Sequence, residues 1–340
     1  MNSRGVAFVL VCFALALVGC ASSRELGAWR ASPARERIVD FVARTTTPGS
    51  PEFVPEQERI AVFDNDGTLW GEQPAYFQLL FAIDRVRALA PEHPEWRHTQ
   101  PFQAVLENDL EALKAAGKQG LATLLASTHA GMTTDEFSAT VGDWLRTARH
   151  PTTGRPYTEM VYRPMVELLA YLRSRGYKTF IVSGGGVDFV RVFSESAYGI
   201  PPEQVVGSSL VVRWDESTDP PALRREAKLD FLDDKEGKPV AIHLHIGRRP
   251  VIAVGNSDGD FQMLQWATDA TGPRLGVLIH HDDPAREWAY DRDSHIGRLD
   301  RGLDEAAERG WVLVSMAEDW REVFAHGDAP SASVSAARRD

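Results

Sequence analysis

Cysteine is nearly absent: the 340-residue sequence has two, Cys12 and Cys20. With Cys12 inside an apolar N-terminal run, no framework of intramolecular disulfides serves the remainder, so stability has to come from a packed core. A basic excess is missing too. The formal net charge of -11 excludes a nucleic-acid binder held by general phosphate attraction. Long hydrophobic runs are scarce, and the run from Val6 to Val18 is too short for a spanning helix, which needs about 20 residues. Internal repeats and long low-complexity stretches are absent, which excludes a solenoid. What is present is a 43% hydrophobic composition, enough to build one large domain or two modest ones.

Arg4, the apolar run and the small residues before Cys20 read as a secretory signal rather than a membrane span. "LVGC" at Leu17 to Cys20 resembles the lipobox of bacterial lipoproteins. That resemblance implies cleavage before Cys20, lipidation of Cys20, and an exported protein anchored at the periplasmic face of a bacterial outer membrane. Cys20 would be the only thiol of the mature chain, and a lipid gives it a chemical use. Residues 1–19 are thus expected as signal peptide, 20–33 as polar tether and 326–340 as a disordered tail.

Four segments share one design: "IAVFD", "KTFIVSGGG", "PVIAVGNSDGD" and "LGVLIHHDD" are each apolar throughout and turn polar at their C-terminal edge. Unalternating apolar strands indicate burial on both faces, as in a parallel sheet between two layers of helices. Ligands of such sheets sit outside the carboxyl ends of the strands, so the chemistry should gather where these runs stop. Apolar spacing predicts helices in "ARERIVDFVART", "MVELLAYLRSRGY" and "VDFVRVFSESAYGI". Between Trp70 and Pro164 the pattern is helical with no comparable strand, which predicts a helical cap over residues 70–164 and a core made of 34–69 and 165–325.

The first run ends in Asp64 and Asp66. On a regular strand these carboxylates would share a face with Asn65 turned away. Their repulsion in a partly buried site calls for a cation, or a proton on one of them. Hard oxygen ligands favour magnesium, which often uses only one or two protein carboxylates and keeps several waters. Gly67 lets the backbone turn close to a ligand.

"DNDGT" at 64–68 resembles the first motif of the haloacid dehalogenase superfamily in its phosphatase form. Ser183, ending "TFIVS", resembles the second motif. Lys238 resembles the third, and is preferred over Lys228 and Lys235 because it opens the apolar "PVAIHLHI" segment. "GNSDGDFQML" at 255–264 resembles the fourth. "VSGGGVDFV" and "GIPPEQVVG" are similar to the phosphoserine and phosphorylcholine phosphatase branch, and the resemblance runs from about Glu58 to His281. It implies an α/β fold with a Rossmann-like three-layer core and a helical cap inserted after the first strand. It also implies a magnesium-dependent phosphomonoester hydrolase acting on a small phosphorylated metabolite. Asp64 would be the nucleophile and Asp66 the general acid and base, with Ser183, Gly184 and Lys238 holding the phosphoryl group. Asp64, Asp66, Asn256, Asp258 and Asp260 would serve the metal.

One departure stands out: relatives usually have aspartate straight after the glycine of the fourth motif, where this chain has Asn256. Either Asn256 offers a neutral carbonyl or Asp258 moves in, and shared duty is the expectation. Glu72, Trp70 and Tyr76 are expected to line a pocket for a cationic head group through cation–π contact, while Trp96 and Trp144 are read as packing. His243, His245, His280 and His281 are read as surface or loop residues rather than a zinc site. The acidic loops do not fit the EF-hand pattern. The alternatives are a phosphotransferase or mutase on the same fold, and a lipoprotein that binds a phosphorylated ligand without turnover.

Overall fold

The computed structural model describes residues 26–325 and 327. The signal peptide, the lipobox with Cys20, and the tail apart from residue 327 lie outside the described residues. No helix among the described residues is long and apolar enough to cross a membrane.

The chain opens with helix α1 (Pro33–Thr46), capped by the Ser32 hydroxyl and started by Pro33, whose missing N–H costs nothing at that position. The preceding stretch corrects an expectation. Residues 26–32, read as tether, pack into the protein, with Leu26, Ala28 and Trp29 buried. Trp29 donates from Nε1 to the Pro164 carbonyl at 2.8 Å and lies edge-on to Trp320. One tryptophan and one leucine anchor a segment whose average composition is polar.

Strand β1 (Ile60–Phe63) follows, and then a long helical excursion: α2 (Phe77–Leu89), α3 (Leu110–His129) and α4 (Thr134–Thr147), the last opened by a capping box between Thr133 and Glu136. Ile83, Val86, Trp96, Phe102, Val105 and Leu124 give the excursion a small core of its own. Trp96 stacks on Phe102, and Trp144 stacks on Tyr157. Helix α5 (Arg163–Ser174) leads into β2 (Lys178–Gly186), the short helix α6 (Val187–Arg191), and a hairpin of β3 (Val205–Asp215) and β4 (Ala222–Phe231). Then come α7 (Gly237–His245), β5 (Ile252–Gly255), α8 (Phe261–Thr268), β6 (Leu275–Asp282), β7 (Ala289–Tyr290), α9 (Arg301–Glu305) and β8 (Val312–Ser315).

The strands form one sheet in the order β4-β3-β2-β1-β5-β6-β7, with β8 also paired to β6. Pairings from β3 through β2, β1, β5 and β6 to β8 are parallel, while β4 and β7 are antiparallel additions. All four residues of β1 and of β5 are buried. Ala61 and Phe63 belong to one apolar cluster, whereas Ile60 and Val62 belong to another. This alternation across a strand buried on both faces is the signature of helices above and below the sheet. The fold is therefore a mostly parallel α/β sandwich of Rossmann-like type.

Candidate active site

Register brings the motif residues together. Phe63 lies beside Ile181 on one side and Val254 on the other, so Asp64, Ser183 and Asn256 emerge at one edge of the sheet. Strand β1 stops at Phe63, and the Asp64 amide makes one last link to the Val254 carbonyl at 2.9 Å. Asn65, between Asp64 and Asp66 in the chain, is buried, its Oδ1 accepting the Tyr198 hydroxyl at 3.1 Å.

Lys238, on the first turn of α7, ties the edge together. Its buried ammonium donates to Asp64 Oδ1 at 2.5 Å and to the Val182 carbonyl at 2.8 Å, and pairs with Asp260 Oδ1 at 2.7 Å. Burial alone would push Lys238 down, but Asp260, Asp64 and Asp233 together hold it up and charged. Lys228 and Lys235 are exposed. Burial and the neighbouring Asp260 keep the Asp64 carboxyl well above the ordinary range, against the pull of Lys238. Burial likewise lifts Asp66 to about 6, opposed by a hydrogen bond from Trp70 Nε1 to Asp66 Oδ1 at 2.8 Å.

On the β2 side, Ser183 is fully buried and its hydroxyl accepts the Gly185 N–H at 3.0 Å, while Gly184 is exposed where the strand's register shifts, at its glycine-rich end, the glycine turn. Gly186 donates its N–H to Gln78 Oε1 at 2.7 Å, which brings helix α2 onto this glycine-rich end of β2. Gln78 carries no motif and no sequence signal pointed to it. Its Nε2 in turn donates to His129 Nε2 at 3.2 Å. Asp233 was also missed: it is fully buried beside Lys238, neither carboxylate oxygen has a hydrogen-bond partner, and burial pushes it up to about 7.

The fourth-motif loop is organised by Asp260, which accepts the backbone N–H groups of Asn256 at 3.0 Å and Ser257 at 3.1 Å through Oδ2 while its other oxygen meets Lys238. Asp260 therefore holds the lysine and the loop together. Asp258 is consumed elsewhere. It accepts the N–H groups of Asp300, Arg301 and Gly302, serving the unpaired donors at the start of α9. The expected sharing of metal duty between Asn256 and Asp258 is thus corrected: the chain turns Asp258 away from the site. Asn256 is buried, with Oδ1 accepting the Thr68 hydroxyl at 3.1 Å and Nδ2 donating to Glu72 Oε1 at 2.7 Å.

Asp64, Asp66 and Asn256 lie at the same edge of the sheet, and the Asp66 carboxylate is close enough to add to the rise that burial causes in Asp64. Among the described residues no three His, Cys, Asp or Glu side chains are arranged to hold an ion by themselves. Two carboxylates and an amide carbonyl, completed by water and substrate, suit magnesium, which rarely takes an all-protein cage.

Residues 61–265 match the haloacid dehalogenase-like hydrolase family. The chain belongs to that family. None of the curated proteins matches it. Among solved structures, a conserved protein of unknown function from Anaerococcus prevotii is 17% identical, with 82% of this chain and 90% of that one covered at a TM-score of 0.54. A phosphoserine phosphohydrolase-like protein from Francisella tularensis is also 17% identical over 74% of this chain and 98% of that one, with a TM-score of 0.40. A probable phosphoserine phosphatase from Vibrio cholerae is 15% identical over 76% and 67%, with a TM-score of 0.37.

Within this haloacid dehalogenase-like chain, the residues expected to line a cationic pocket separate. Trp70 is buried, stacked on Phe193 at 4.3 Å between ring centroids and packed against Phe77, with its N–H given to Asp66. No ring face remains for a cation, and Trp70 acts as a support for Asp66. Glu72 is buried and bonded to Asn256 and to the Tyr290 hydroxyl, both at 2.7 Å, and burial lifts it to about 8 against the charge of His281. Tyr76 alone of the three is substantially exposed. His243 and His245 are exposed on α7. His281 instead reaches the site, with Nε2 donating to the Gly67 carbonyl at 2.8 Å and Nδ1 facing Glu287 at 3.2 Å.

Proposed function

We propose that the protein is a magnesium-dependent phosphomonoester hydrolase that works through an aspartyl-phosphate on Asp64. The observation that carries this reading is the buried Lys238 ammonium shared by Asp64, Asp260 and the Val182 carbonyl, one residue from Ser183. It fixes one oxygen of Asp64 and leaves the other to attack. Phosphoryl transfer needs mainly positioning and charge neutralisation. A cation held by Asp64 and Asn256, beside Asp66, would supply the second part, offsetting the charge of the phosphoryl oxygens.

The chain's own residues account for the rest. Asp64 forms the new O–P bond as the ester P–O bond breaks, and Asp66, held by Trp70, gives its proton to the departing alcohol oxygen. Asp66, now ionised, takes a proton from water as that water attacks phosphorus, releasing inorganic phosphate and restoring Asp64. Ser183 and the turn at Gly184 hold the phosphoryl oxygens during both displacements.

The test is release of inorganic phosphate from a chromogenic phosphomonoester by the purified chain. Turnover that needs magnesium and stops with chelator is expected; no release across a panel of small phosphorylated metabolites would end this reading. We also propose export with lipid attachment at Cys20, supported by the apolar run and "LVGC" before it. Radiolabelled palmitate should enter the wild-type chain and not Cys20→Ser.

A further inference from the structure

Glu72 stands outside all four motifs, yet its side chain meets Asn256, the first residue after the fourth-motif glycine. Its carboxylate is 2% exposed and accepts the Asn256 amide at 2.7 Å. The Tyr290 hydroxyl approaches the same oxygen at 2.7 Å. Gly67 wraps over the pair at φ +72, and a methyl group added there would overlap both the Asn256 amide and the Glu72 carboxylate. The Asn256 carbonyl accepts the Thr68 hydroxyl at 3.1 Å, and a carbonyl oxygen has a second lone pair.

An amide side chain can turn either its oxygen or its N–H to a neighbour, and Glu72 Oε1 decides between them: it takes the N–H, which leaves the carbonyl oxygen of Asn256 on the side of the Thr68 hydroxyl. We infer that Glu72 fixes the orientation of Asn256 so that the carbonyl oxygen, not the N–H, is the atom offered to the cation. Glu72 is then a positioning residue for the metal site rather than a wall of a substrate pocket. The inference rests on Asp64, Asp66 and Asn256 being the cation site.

Magnesium binding to the purified full chain tests it by calorimetry, with no substrate and no turnover. Groups that orient a metal ligand typically change affinity 10–100-fold when replaced. Glu72→Gln should weaken magnesium at least tenfold while circular dichroism stays native. Asn256→Asp alone should lower the melting temperature without magnesium, because the hydrogen bond to Glu72 loses its amide donor. The double variant Asn256→Asp/Glu72→Gln exchanges amide and acid, and should recover affinity to within about threefold of wild type. Unchanged affinity in Glu72→Gln, with a tenfold loss in Asn256→Ala, would overturn the role of Glu72 alone. Failure of the double variant to recover would overturn the pairing of the two side chains. A wild-type chain that binds no magnesium would remove this inference together with the function proposed above. Wild-type binding that depends on Glu72, in a chain that releases no phosphate, would leave it standing while the proposed hydrolysis fell.

Discussion

The indole N–H of Trp70 donates to Asp66 Oδ1 across 2.8 Å, from a ring locked between Phe193 and Phe77. This bond stabilises the ionised carboxylate and restrains the rise caused by burial. Trp70→Phe should therefore move Asp66 above about 6. If Asp66 protonates the leaving oxygen, activity falls once it ionises, so the alkaline limb of kcat/KM against pH should shift upward, with a rate loss of roughly tenfold. An unshifted limb would separate Trp70 from Asp66.

Asp64→Asn removes the attacking oxygen while keeping an acceptor for Lys238. Phosphate release should drop at least about 10³-fold with circular dichroism unchanged. Turnover close to wild type would mean that another group attacks phosphorus.

Asp258 serves α9, so Asp258→Ala should lower stability by about 1 kcal/mol, the usual size of a lost helix cap. Magnesium affinity from calorimetry should not move. Asn256→Ala is expected to do the reverse, losing affinity at least tenfold.

His129 offers a pH test away from the carboxylates. The Thr128 hydroxyl already donates to the Leu124 carbonyl, so His129 Nδ1 donates to it and Nε2 accepts from Gln78. Burial, with Arg225 and Arg85 nearby, lowers the ring to about 3. The unfolded chain then takes up this proton first as pH falls below about 6.5, and stability drains away between there and about 3. At pH 5 the loss from this residue is about 2 kcal/mol relative to neutrality. Urea midpoints at pH 7.5 and pH 5 should differ less in His129→Gln than in wild type; equal differences would count against a neutral buried ring.

Much of the sheet was legible because β1, β2, β5 and β6 are apolar on both faces, a pattern that survives in one sequence. The hairpin was not: β3 runs from buried to exposed along its length and β4 is mostly exposed, so neither shows a clean period. Strand β8 is only four residues long. Lys238, Asp64 and Asp260 were readable from motif spacing, but the spacing of Asp258 misled, since nothing local announces that α9, over forty residues on, needs its carboxylate. Gln78 and Tyr290 reach the site from distant segments. Their partners are a glycine amide and Glu72, and a single chain carries no trace of such pairings.

Arg225 on β4 is buried between the His129 carbonyl, the ring of Phe137 and the carboxylate of Asp188, and the β4 backbone exchanges hydrogen bonds with Gly131 and Met132. The helical excursion is thereby pinned to the hairpin as well as to the glycine turn through Gln78. A swing about the two connections at 70 and 164 alone would tear those links. Admission of any reactant must carry the hairpin along as one rigid passenger, or else proceed by a gap at the rim with the helices at rest.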